Sequence, residues 1–548
     1  EGAVGEKLVS IVSVDGGKSW SSPVELEPNV TLTSAYGNIV ANKEGRIFTV
    51  YNFNEDNVTR LPDGKPVGRT DSLGHFVMKW SDDGGRSWSP RRYEVPFPTT
   101  ALDKNNSFSG KVDMMWSVDH FKVFNDTTAT FAFTKIGTYP YLPPEEIYIL
   151  TSENLLIVED PATATWRMLP DGPHGLAPPG GNPNIVEEGH VLPLQETDGF
   201  YAVARTTQGY LAAAWTPSHD ETGWPGDMSF AVFGDVSVDP SAPPTASTRK
   251  IKNPRGPITM KRLPSGLLLL LHYFNSHSDY TNRNPYWLSS GREVGGIIVW
   301  SEPEIALYST DETSRPGYPD ILEANGNVFI TETQKTTARV HTVDPRLVAG
   351  LRDQSKLSQL AQVSGLSTNI TRDDQGKHIP APTFPSLSSY SSDRQGLTIE
   401  LHLHNHQSAQ TGSILLSTLS DGVGIKLSVS SDGGVTAYLS DGNSSVTLKT
   451  LGACSTPLAS QGRHSFALTA DAGSSLVVLL VDGVVCDGGS DATEGWARMS
   501  LDNVNANDMT IGSGYLPGEI VGGRVWTRFL TTSELIGNFR FDNTVTVA

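Results

Sequence analysis

Short apolar runs separated by polar turns recur over the first 344 residues of the chain. Residues 8–12 and 75–80 are two of these runs, both of strand length and bounded by turn residues. Serines begin the turns that follow successive runs, at positions 13, 81, 152, 218 and 301. Consecutive serines are therefore 68, 71, 66 and 83 residues apart. A repeat of this length holds about four short strands, which is the content of one β-propeller blade.

Two of these turns share one polar motif. Residues 13–20 (SVDGGKSW) and 81–88 (SDDGGRSW) both place Ser, Asp, Gly and Trp at the same spacing. In such a turn Asp hydrogen-bonds its own backbone, and Gly accepts a positive φ that other residues avoid. We therefore interpret Asp15 and Asp83 as structural residues of hairpin turns rather than as catalytic groups.

The number of blades follows from the repeats. Five phases are visible in the serine spacing, and strand-like runs at 318–322, 328–331 and 338–343 add a sixth. The chain enters its first phase at what would be the third strand of a blade. We expect a six-bladed propeller over residues 1–344, with five blades as the alternative.

The pattern changes after Asp344. Apolar residues at helical spacing over 345–364, with Asp344 as N-cap and Pro345 at the first helical position, predict a connecting helix. Residues 365–393 are rich in Ser, Pro, Asp and Gly, which predicts a linker. Strand-like runs resume over 394–548 and predict a β-sandwich of jelly-roll type. The expected fold is all-β, with a propeller joined by a helix to this sandwich.

Composition excludes several classes of partner. A chain of 548 residues exceeds a single core, in agreement with two large domains. Its formal charge of −19 argues against nucleic acid as a partner, because DNA and RNA bind through cationic side chains. It has no apolar run of about 18 residues, so no membrane span is expected. Without a His/Cys cluster at metal spacing or a phosphate-binding glycine loop, we expect no cofactor or metal, and a monomer.

The compartment is indicated by glycosylation motifs and cysteines. The chain carries six Asn-x-Ser/Thr sequences, at Asn29, Asn57, Asn105, Asn125, Asn369 and Asn443. Its two cysteines, Cys454 and Cys486, predict one disulfide, with two buried thiols as the alternative. No signal peptide is present, so we expect the mature form of a secreted, extracellular glycoprotein.

The motif of residues 13–20 and 81–88 is the Asp box, or BNR repeat, and with the blade period it makes the chain resemble the sialidase superfamily of glycoside hydrolases. The C-terminal sandwich resembles concanavalin- and laminin-G-like domains, and this domain order resembles that of trans-sialidase-like enzymes. The resemblance implies an active site with three arginines for a substrate carboxylate. It also implies a tyrosine nucleophile, an assisting glutamate and an aspartic acid as general acid/base.

The resemblance carries these roles onto particular residues. Tyr318, at the head of a late inner strand, is the expected nucleophile. Glu188 or Glu187 is the expected assisting glutamate, and alternation along a strand would turn only one of them inward. Glu332 is expected to orient an arginine, and Asp71 stands as the acid/base. The substrate-binding candidates are polar side chains of the same predicted inner loops: Arg69, His75, Arg205, Arg255, Arg292 and Arg339.

The chain departs from the family pattern at three points. No arginine precedes Ser13, where the first arginine is expected. Leu211 stands where the second is expected, so Arg205 substitutes for it. The acid/base is also expected before the first Asp box, and Asp71 precedes the second instead. The carboxylate clamp is therefore incomplete, which leaves an acidic or a neutral sugar open.

These observations favour an exo-acting glycoside hydrolase that removes a terminal, acidic sugar from glycans or polysaccharides. A non-catalytic carbohydrate-binding propeller, a lectin or adhesin, is the first alternative, and the missing arginine favours it. A polysaccharide lyase on the same scaffold is the second. In a lyase, Tyr318 or His75 would abstract a proton next to a uronate carboxylate.

Overall fold

The fold is described by a computed structural model for residues 2–28, 30–139, 142–218, 223–274, 283–311, 314–333, 337–405, 411–450, 454, 461–486, 496–514, 516 and 518–545. Strands dominate these residues, and the prediction of an all-β fold is confirmed. In the part of the chain so described, no helix is long and apolar enough to cross a membrane.

The first half of the chain forms a hairpin followed by five antiparallel-rich sheets in chain order. The hairpin pairs β1 (Val9–Ser10) with β2 (Val24–Glu25). Sheet 1 contains β3 (Ser34–Ala41), β4 (Ile47–Phe53), β5 (His75–Ser81) and β6 (Tyr93–Glu94). After the short helix α1 (Ala101–Lys104), sheet 2 contains β7 (Met115–Trp116), β8 (Lys122–Phe124), β9 (Thr128–Thr138), β10 (Leu142–Ser152) and β11 (Arg167–Leu169).

The next three sheets complete the series. Sheet 3 contains β12 (Val186–Pro193), β13 (Phe200–Thr206), β14 (Leu211–Thr216) and β15 (Ser229–Phe230). Sheet 4 contains β16 (Val232–Gly234), β17 (Ala246–Lys250), β18 (Thr259–Arg262), β19 (Leu268–Tyr273), β20 (Tyr286–Val294), β21 (Ile297–Trp300) and β22 (Glu304–Leu307). Sheet 5 contains β23 (Gly317–Ala324), β24 (Asn327–Thr333) and β25 (Ala338–Thr342).

Hydrophobic clusters join each sheet to the next one. Phenylalanines of sheets 1 and 2 form the first cluster, and apolar side chains of sheets 2 and 3 form the second. A third cluster joins sheets 3 and 4, and a fourth joins sheets 4 and 5. Because a hydrophobic cluster joins each sheet to the next one in the chain, the series packs as the blades of a propeller.

The hairpin occupies the sector between sheets 5 and 1. Ser10 Oγ donates to the Gly85 carbonyl at 2.7 Å and accepts from Trp88 Nε1 at 2.9 Å, both in the turn after sheet 1. On its other side, a Cβ placed on Gly17 would lie 3.0 Å from the Val340 side chain of sheet 5. Six sectors are thus present among the described residues, five as sheets and one as this hairpin.

The two Asp-box carboxylates are used within their own turns. Asp83 Oδ1 accepts from the backbone N–H groups of Arg86 and Ser87 at 3.0 and 2.9 Å, and Asp15 makes the same two bonds in its turn. Hydrogen bonds from the serine hydroxyls, first of all, lower the pKa of both carboxyls to about 2.

The connection after sheet 5 differs from the prediction. Helix α2 (Pro345–Asp353) begins where expected, with Asp344 Oδ1 accepting from the Arg346 N–H at 2.9 Å, but it is shorter than 345–364. Residues 365–393, predicted as a linker, instead contribute β26 (Leu366–Thr371) and β27 (Lys377–Pro380). Both are edge strands with mostly exposed side chains, which is why they lack the apolar run of a central strand.

The second half of the chain is a two-sheet sandwich. One sheet has the order β26-β38-β28-β33-β34-β35 with β36 beside β34, and the other has the order β27-β37-β29-β30-β31-β32. The remaining strands and the closing helix are β28 (Gln395–Asn405), β29 (Ile414–Ser417), β30 (Val423–Val429), β31 (Val435–Asp441), β32 (Ser445–Lys449), β33 (Gly462–Asp471), β34 (Leu476–Val481), β35 (Val484–Val485), β36 (Trp496–Arg498), β37 (Asp508–Ser513), β38 (Gly518–Arg528) and α3 (Thr532–Val545).

The cysteines and five of the glycosylation motifs can be placed. Cys454 and Cys486 form a disulfide with a Cα–Cα distance of 5.6 Å, so the predicted bridge is confirmed. Asn57, Asn105, Asn125, Asn369 and Asn443 are all exposed, and Asn29 lies outside the described residues. Glycosylation and secretion stay predictions.

Propeller and sandwich are joined by aromatic and charged contacts. Trp287 of sheet 4 packs edge-on against Trp496 of the sandwich, with ring centroids 5.8 Å apart. Glu304 of β22 accepts from the N–H groups of Thr532 and Ser533 at 3.0 and 2.7 Å, and so caps the N-terminus of α3. Burial dominates over these donors and raises the pKa of Glu304 to about 7.

This contact makes stability depend on pH. With its pKa raised above the ordinary 4.5, the Glu304 carboxyl holds its proton more tightly in the folded protein. The stability that this tighter proton binding contributes to the folded protein is therefore complete below pH 4.5 and is lost as the pH rises to about 7. Between pH 5 and pH 8, we expect Glu304→Gln to gain up to about 3 kcal/mol in free energy of unfolding relative to the wild type. Denaturant unfolding at both pH values measures this difference, and an equal difference at both would contradict it.

Candidate active site

The inner strands of the propeller share one backbone irregularity. Strands β3, β12 and β23 each form one edge of their sheet, and the pairing with the next strand skips two residues in each. The first skipped residue has a positive φ in all three cases: Tyr36 at 57°, Glu188 at 52° and Tyr318 at 48°. Arg255, just before the inner strand β18, has a φ of 57° as well.

These bulges re-aim side chains. A β-bulge near the left-handed region turns the extra residue out of the regular alternation, and non-glycine residues take this conformation only where surrounding structure holds them. Inner strands contact one another around the axis, as β12 does with β18 and β18 with β23. The structure therefore brings one left-handed residue from each of four sheets toward the central channel, three of them at bulges.

Tyr318 and Glu188 meet across the channel. The Tyr318 hydroxyl donates to Glu188 Oε1 at 3.3 Å, and the Arg283 guanidinium lies 5.5 Å from the centre of the Tyr318 ring. The Glu188 carboxylate, followed by burial, raises the pKa of Tyr318. Burial also raises the pKa of Glu188, whose residue is only 4% exposed. The pair that the resemblance implied is thus within reach of a hydrogen bond.

Arg205 binds both adjacent glutamates. Its Nη1 lies 2.8 Å from Glu188 Oε2, and its Nη2 lies 3.2 Å from Glu187 Oε2. Arg255 Nε donates to the other oxygen of Glu187 at 2.5 Å. Burial alone would raise the pKa of Glu187, but the two guanidinium groups lower it. The expectation that only one glutamate points inward is wrong, because Glu188 is the bulged residue and escapes the alternation.

Glu145 is a site residue that the sequence did not reveal. It lies on β10, is 1% exposed, and neither carboxyl oxygen has a hydrogen-bond partner among the described residues. Burial first, and then the nearby Glu187 carboxylate, raises its pKa to about 9. Glu145 is therefore an uncharged acid at neutral pH, and no motif in the sequence distinguishes it from an ordinary surface glutamate.

Asp71 belongs to a separate group in sheet 1. Its Oδ2 accepts from the Tyr36 hydroxyl at 2.7 Å and from Arg69 Nη2, and its Oδ1 accepts from Arg69 Nε at 3.1 Å. Arg69 Nη2 also donates to the Tyr36 hydroxyl at 2.8 Å. Tyr36 and Tyr318 occupy the same bulge position, so the channel holds two tyrosine–carboxylate pairs, each beside an arginine.

Three further candidates lie in sheets 1 and 5. Glu332 Oε1 accepts from Arg339 Nη1 at 3.0 Å and lies 3.4 Å from His341 Nε2. Glu332 precedes Thr333, which pairs with Gly317, so this group flanks Tyr318. His75 is the first residue of β5, and its Nε2 lies 3.4 Å from a carboxylate oxygen of Glu55.

Arg292 is not brought to the site. It is exposed on β20, which is not the inner strand of its sheet, and its Nη1 donates to Ser355 Oγ at 3.1 Å. The arginine near Tyr318 is instead Arg283, nine positions earlier in the same polar stretch. Among the described side chains, no three of His, Cys, Asp or Glu are arranged to hold a metal ion.

A second layer of charges lies deeper along the same strands. His190, two residues after Glu188, places Nδ1 2.8 Å from Asp119 Oδ1. Lys261 Nζ donates to Asp320, two residues after Tyr318, at 3.0 Å. Asp119 also pairs with the buried Lys122, so each carboxylate of this layer has a lysine partner.

Removal of Arg205 should destabilise the fold, because Arg205 is the cation shared by Glu187 and Glu188. Arg205→Met leaves two buried carboxylates without their shared cation, so we expect a loss of about 3–5 kcal/mol in free energy of unfolding. The control is Arg46→Met, which breaks a pair with Asp82, whose side chain is 60% exposed, and should cost less than about 1 kcal/mol. Equal losses in the two variants, measured by denaturant unfolding, would contradict the role of Arg205.

Comparison with known proteins finds likenesses among solved structures. No family model and no curated protein matches the sequence. A Trypanosoma rangeli sialidase in complex with 2,3-difluoro-KDN is similar at 12% identity and a TM-score of 0.34, over 98% of each chain. A protein of unknown function from Dyadobacter fermentans is similar at 14% identity and a TM-score of 0.39, over 62% of this chain and 83% of that one.

A third likeness concerns a carbohydrate-binding module. The CBM40 of a Ruminococcus gnavus IT-sialidase, bound to α2,6-sialyllactose, is similar at 17% identity and a TM-score of 0.20, over 30% of this chain and 97% of that one. Two of these three neighbours come from sialidases. At such TM-scores the likenesses carry no weight for chemistry, and the site stands on its own side chains.

Proposed function

We propose that this protein is an exo-acting glycoside hydrolase that removes a terminal acidic sugar, with Tyr318 as nucleophile and Glu188 as its base. The observation that carries the proposal is the hydrogen bond of 3.3 Å from the Tyr318 hydroxyl to Glu188 Oε1. A phenol is a weak nucleophile at neutral pH, so a base must stand within hydrogen-bond reach of it. Glu188 satisfies this requirement.

The first step joins Tyr318 to the sugar. The phenol oxygen attacks the anomeric carbon, its proton passes to Glu188, and the bond to the leaving group breaks. A neutral tyrosine suits a substrate whose anomeric centre bears a carboxylate, because a carboxylate nucleophile would be repelled. Water then attacks the anomeric carbon, and Glu188 returns the proton to the departing Tyr318 oxygen.

In the first step, Asp71 acts as the general acid and donates a proton to the leaving group. Both its oxygens are engaged by Arg69 and Tyr36, so these contacts must rearrange when substrate enters. In the second step the same carboxylate would accept a proton from the attacking water. A non-catalytic channel would differ from an active one at this carboxylate.

An acidic sugar is favoured by the balance of charge. Four guanidinium groups, those of Arg69, Arg205, Arg255 and Arg283, accompany the carboxylates of Asp71, Glu187 and Glu188. Arg205 pairs with both glutamates through its two Nη atoms, so it is a positioning residue rather than a ligand for substrate. Arg283 is 5% exposed, and its Nε has no hydrogen-bond partner among the described residues. Arg283, with the partly exposed Arg255 and Arg69, would bind the substrate carboxylate.

A non-catalytic carbohydrate-binding propeller is the second candidate function. It is favoured by the engagement of Asp71 with Arg69 and Tyr36, which leaves no ready proton donor. Binding of an acidic sugar without turnover would support it. A lyase would release unsaturated uronate products, and His75, already beside Glu55, is not placed next to Tyr318 by any described contact.

The nucleophile assignment is tested on a panel of nonulosonic-acid and uronate glycosides. We expect Tyr318→Phe to keep the fold and to lower kcat by a factor of about 10² or more. Glu188→Gln should behave alike, and the double variant should lose little more, because the two residues act as one unit. Arg292→Met, outside the site, is the matched control and should retain turnover. Near-wild-type rates in Tyr318→Phe would overturn the assignment.

The pH profile tests Glu188 separately. Glu188 must be ionised to accept the proton, and burial holds its pKa above the ordinary 4.5. The plot of kcat/KM against pH should therefore have an acid limb, a decrease toward low pH, that begins above pH 4.5. The positive charge of Arg283 lowers this pKa. In Arg283→Met the acid limb should therefore move to higher pH. An acid limb that stays in place in this variant would count against Glu188 as the base.

A further inference from the structure

A crevice between propeller and sandwich lies away from the central channel. Its volume is about 250 Å³, and it is bordered by Tyr308 after β22, Tyr390 before β28, and Asp471 at the end of β33. Tyr308 is 41% exposed and Tyr390 is 53% exposed. Exposed tyrosines at a concave site offer a ligand an apolar ring face and a hydroxyl that can hydrogen-bond.

The three side chains converge on one glycine. A Cβ placed on Gly473 would lie 3.2 Å from the Tyr308 hydroxyl oxygen, from Tyr390 Cε2 and from Asp471 Oδ1. The backbone of Gly473 is not in the left-handed region, so this position does not require glycine for its conformation. Glycine instead leaves open the space between the three side chains. Any side chain at this position would enter the point where the two rings and the carboxylate meet.

The polar groups of this cluster are available to a ligand. Neither tyrosine hydroxyl has a hydrogen-bond partner among the residues that the structure describes. Asp471 Oδ1 accepts from the Gly473 N–H at 2.8 Å and still presents a carboxylate to the crevice. Two phenols and a carboxylate can donate to and accept from the hydroxyl groups of a sugar, while the ring faces cover its apolar C–H face.

Charge selects a neutral ligand. Of the arginines along the crevice, Arg346 pairs with Asp344 and Asp393, and Arg394 pairs with Glu534. Each cation thus already has an acidic partner, and no guanidinium group is set aside for an anion. This differs from the central channel, where guanidinium groups outnumber carboxylates.

We propose that this crevice is a second carbohydrate site, which binds a neutral pyranose between Tyr308 and Tyr390 with Asp471 hydrogen-bonded to its hydroxyl groups. The volume is below the roughly 300–1,000 Å³ typical of drug-sized ligands, so it suits a single ring. Arg346, Asp393 and Arg394 also border an adjoining cavity of about 680 Å³. A longer glycan can therefore enter the crevice with one residue and continue into that cavity.

Saturation-transfer NMR on the full chain tests this site. The probes are methyl β-galactoside, methyl α-mannoside and methyl β-N-acetylglucosaminide, with methyl α-sialoside as the charged comparison. We expect at least one neutral probe to bind, and its binding to weaken at least fivefold in Tyr390→Ala and in Gly473→Ala. Gly473→Ala fills the space where the ligand would bind and keeps both tyrosines. Weaker binding in this variant therefore cannot be explained by the loss of an aromatic ring.

The control is Tyr438→Ala, a tyrosine on β31 of the same sandwich and outside the crevice. It should bind the neutral probe like the wild type. Binding that is unchanged in both crevice variants, or no binding of any neutral probe, would overturn the proposal. Arg283→Met should affect only binding of the sialoside in the central channel and leave binding of the neutral probe unchanged. The experiment therefore tests the crevice and the central channel separately.

Discussion

Two glutamates that are neighbours in the sequence, Glu187 and Glu188, share one buried arginine at the mouth of the propeller channel. Both can point the same way only because the inner strand bulges between them, with Glu188 held at a positive φ. Arg205 offsets the cost of burying two carboxylates, and in doing so fixes Glu188 opposite Tyr318. Without this ion pair, Glu188 would have neither its position nor a compensated charge.

The same bulge recurs around the ring, and this repetition organises the site. Tyr36 and Tyr318 adopt the left-handed conformation at the same bulge position in their own sheets, and Arg255 adopts it just before β18. Four of the five sheets thus supply one re-aimed side chain each, and the chemistry depends on which residue stands there. The Asp boxes repeat as well, but their carboxylates satisfy their own turns and contribute only to the scaffold.

Sequence reasoning reached the parts of the structure that depend on local chemistry. The Asp boxes and the order of blades and sandwich were predictable from motifs and spacing, whereas Tyr318 with Glu188 or Glu187 followed only from the resemblance to sialidases. The strands of 365–393 were not, because edge strands have no apolar run and resemble a linker. Arg283 was missed in favour of Arg292, since only the three-dimensional course of β20 shows which end of the stretch faces the channel. Glu145 gave no signal, because its burial is a property of the fold.

Trapping of the intermediate tests the central claim most directly. An acidic glycosyl fluoride with a second fluorine beside the anomeric carbon should react with the full chain, release fluoride and leave the sugar attached to the protein. Peptide mass spectrometry should then find the added glycosyl mass on Tyr318, and no adduct should form in Tyr318→Phe. An adduct on a carboxylate residue, or none at all on protein that hydrolyses the parent glycoside, would contradict the account.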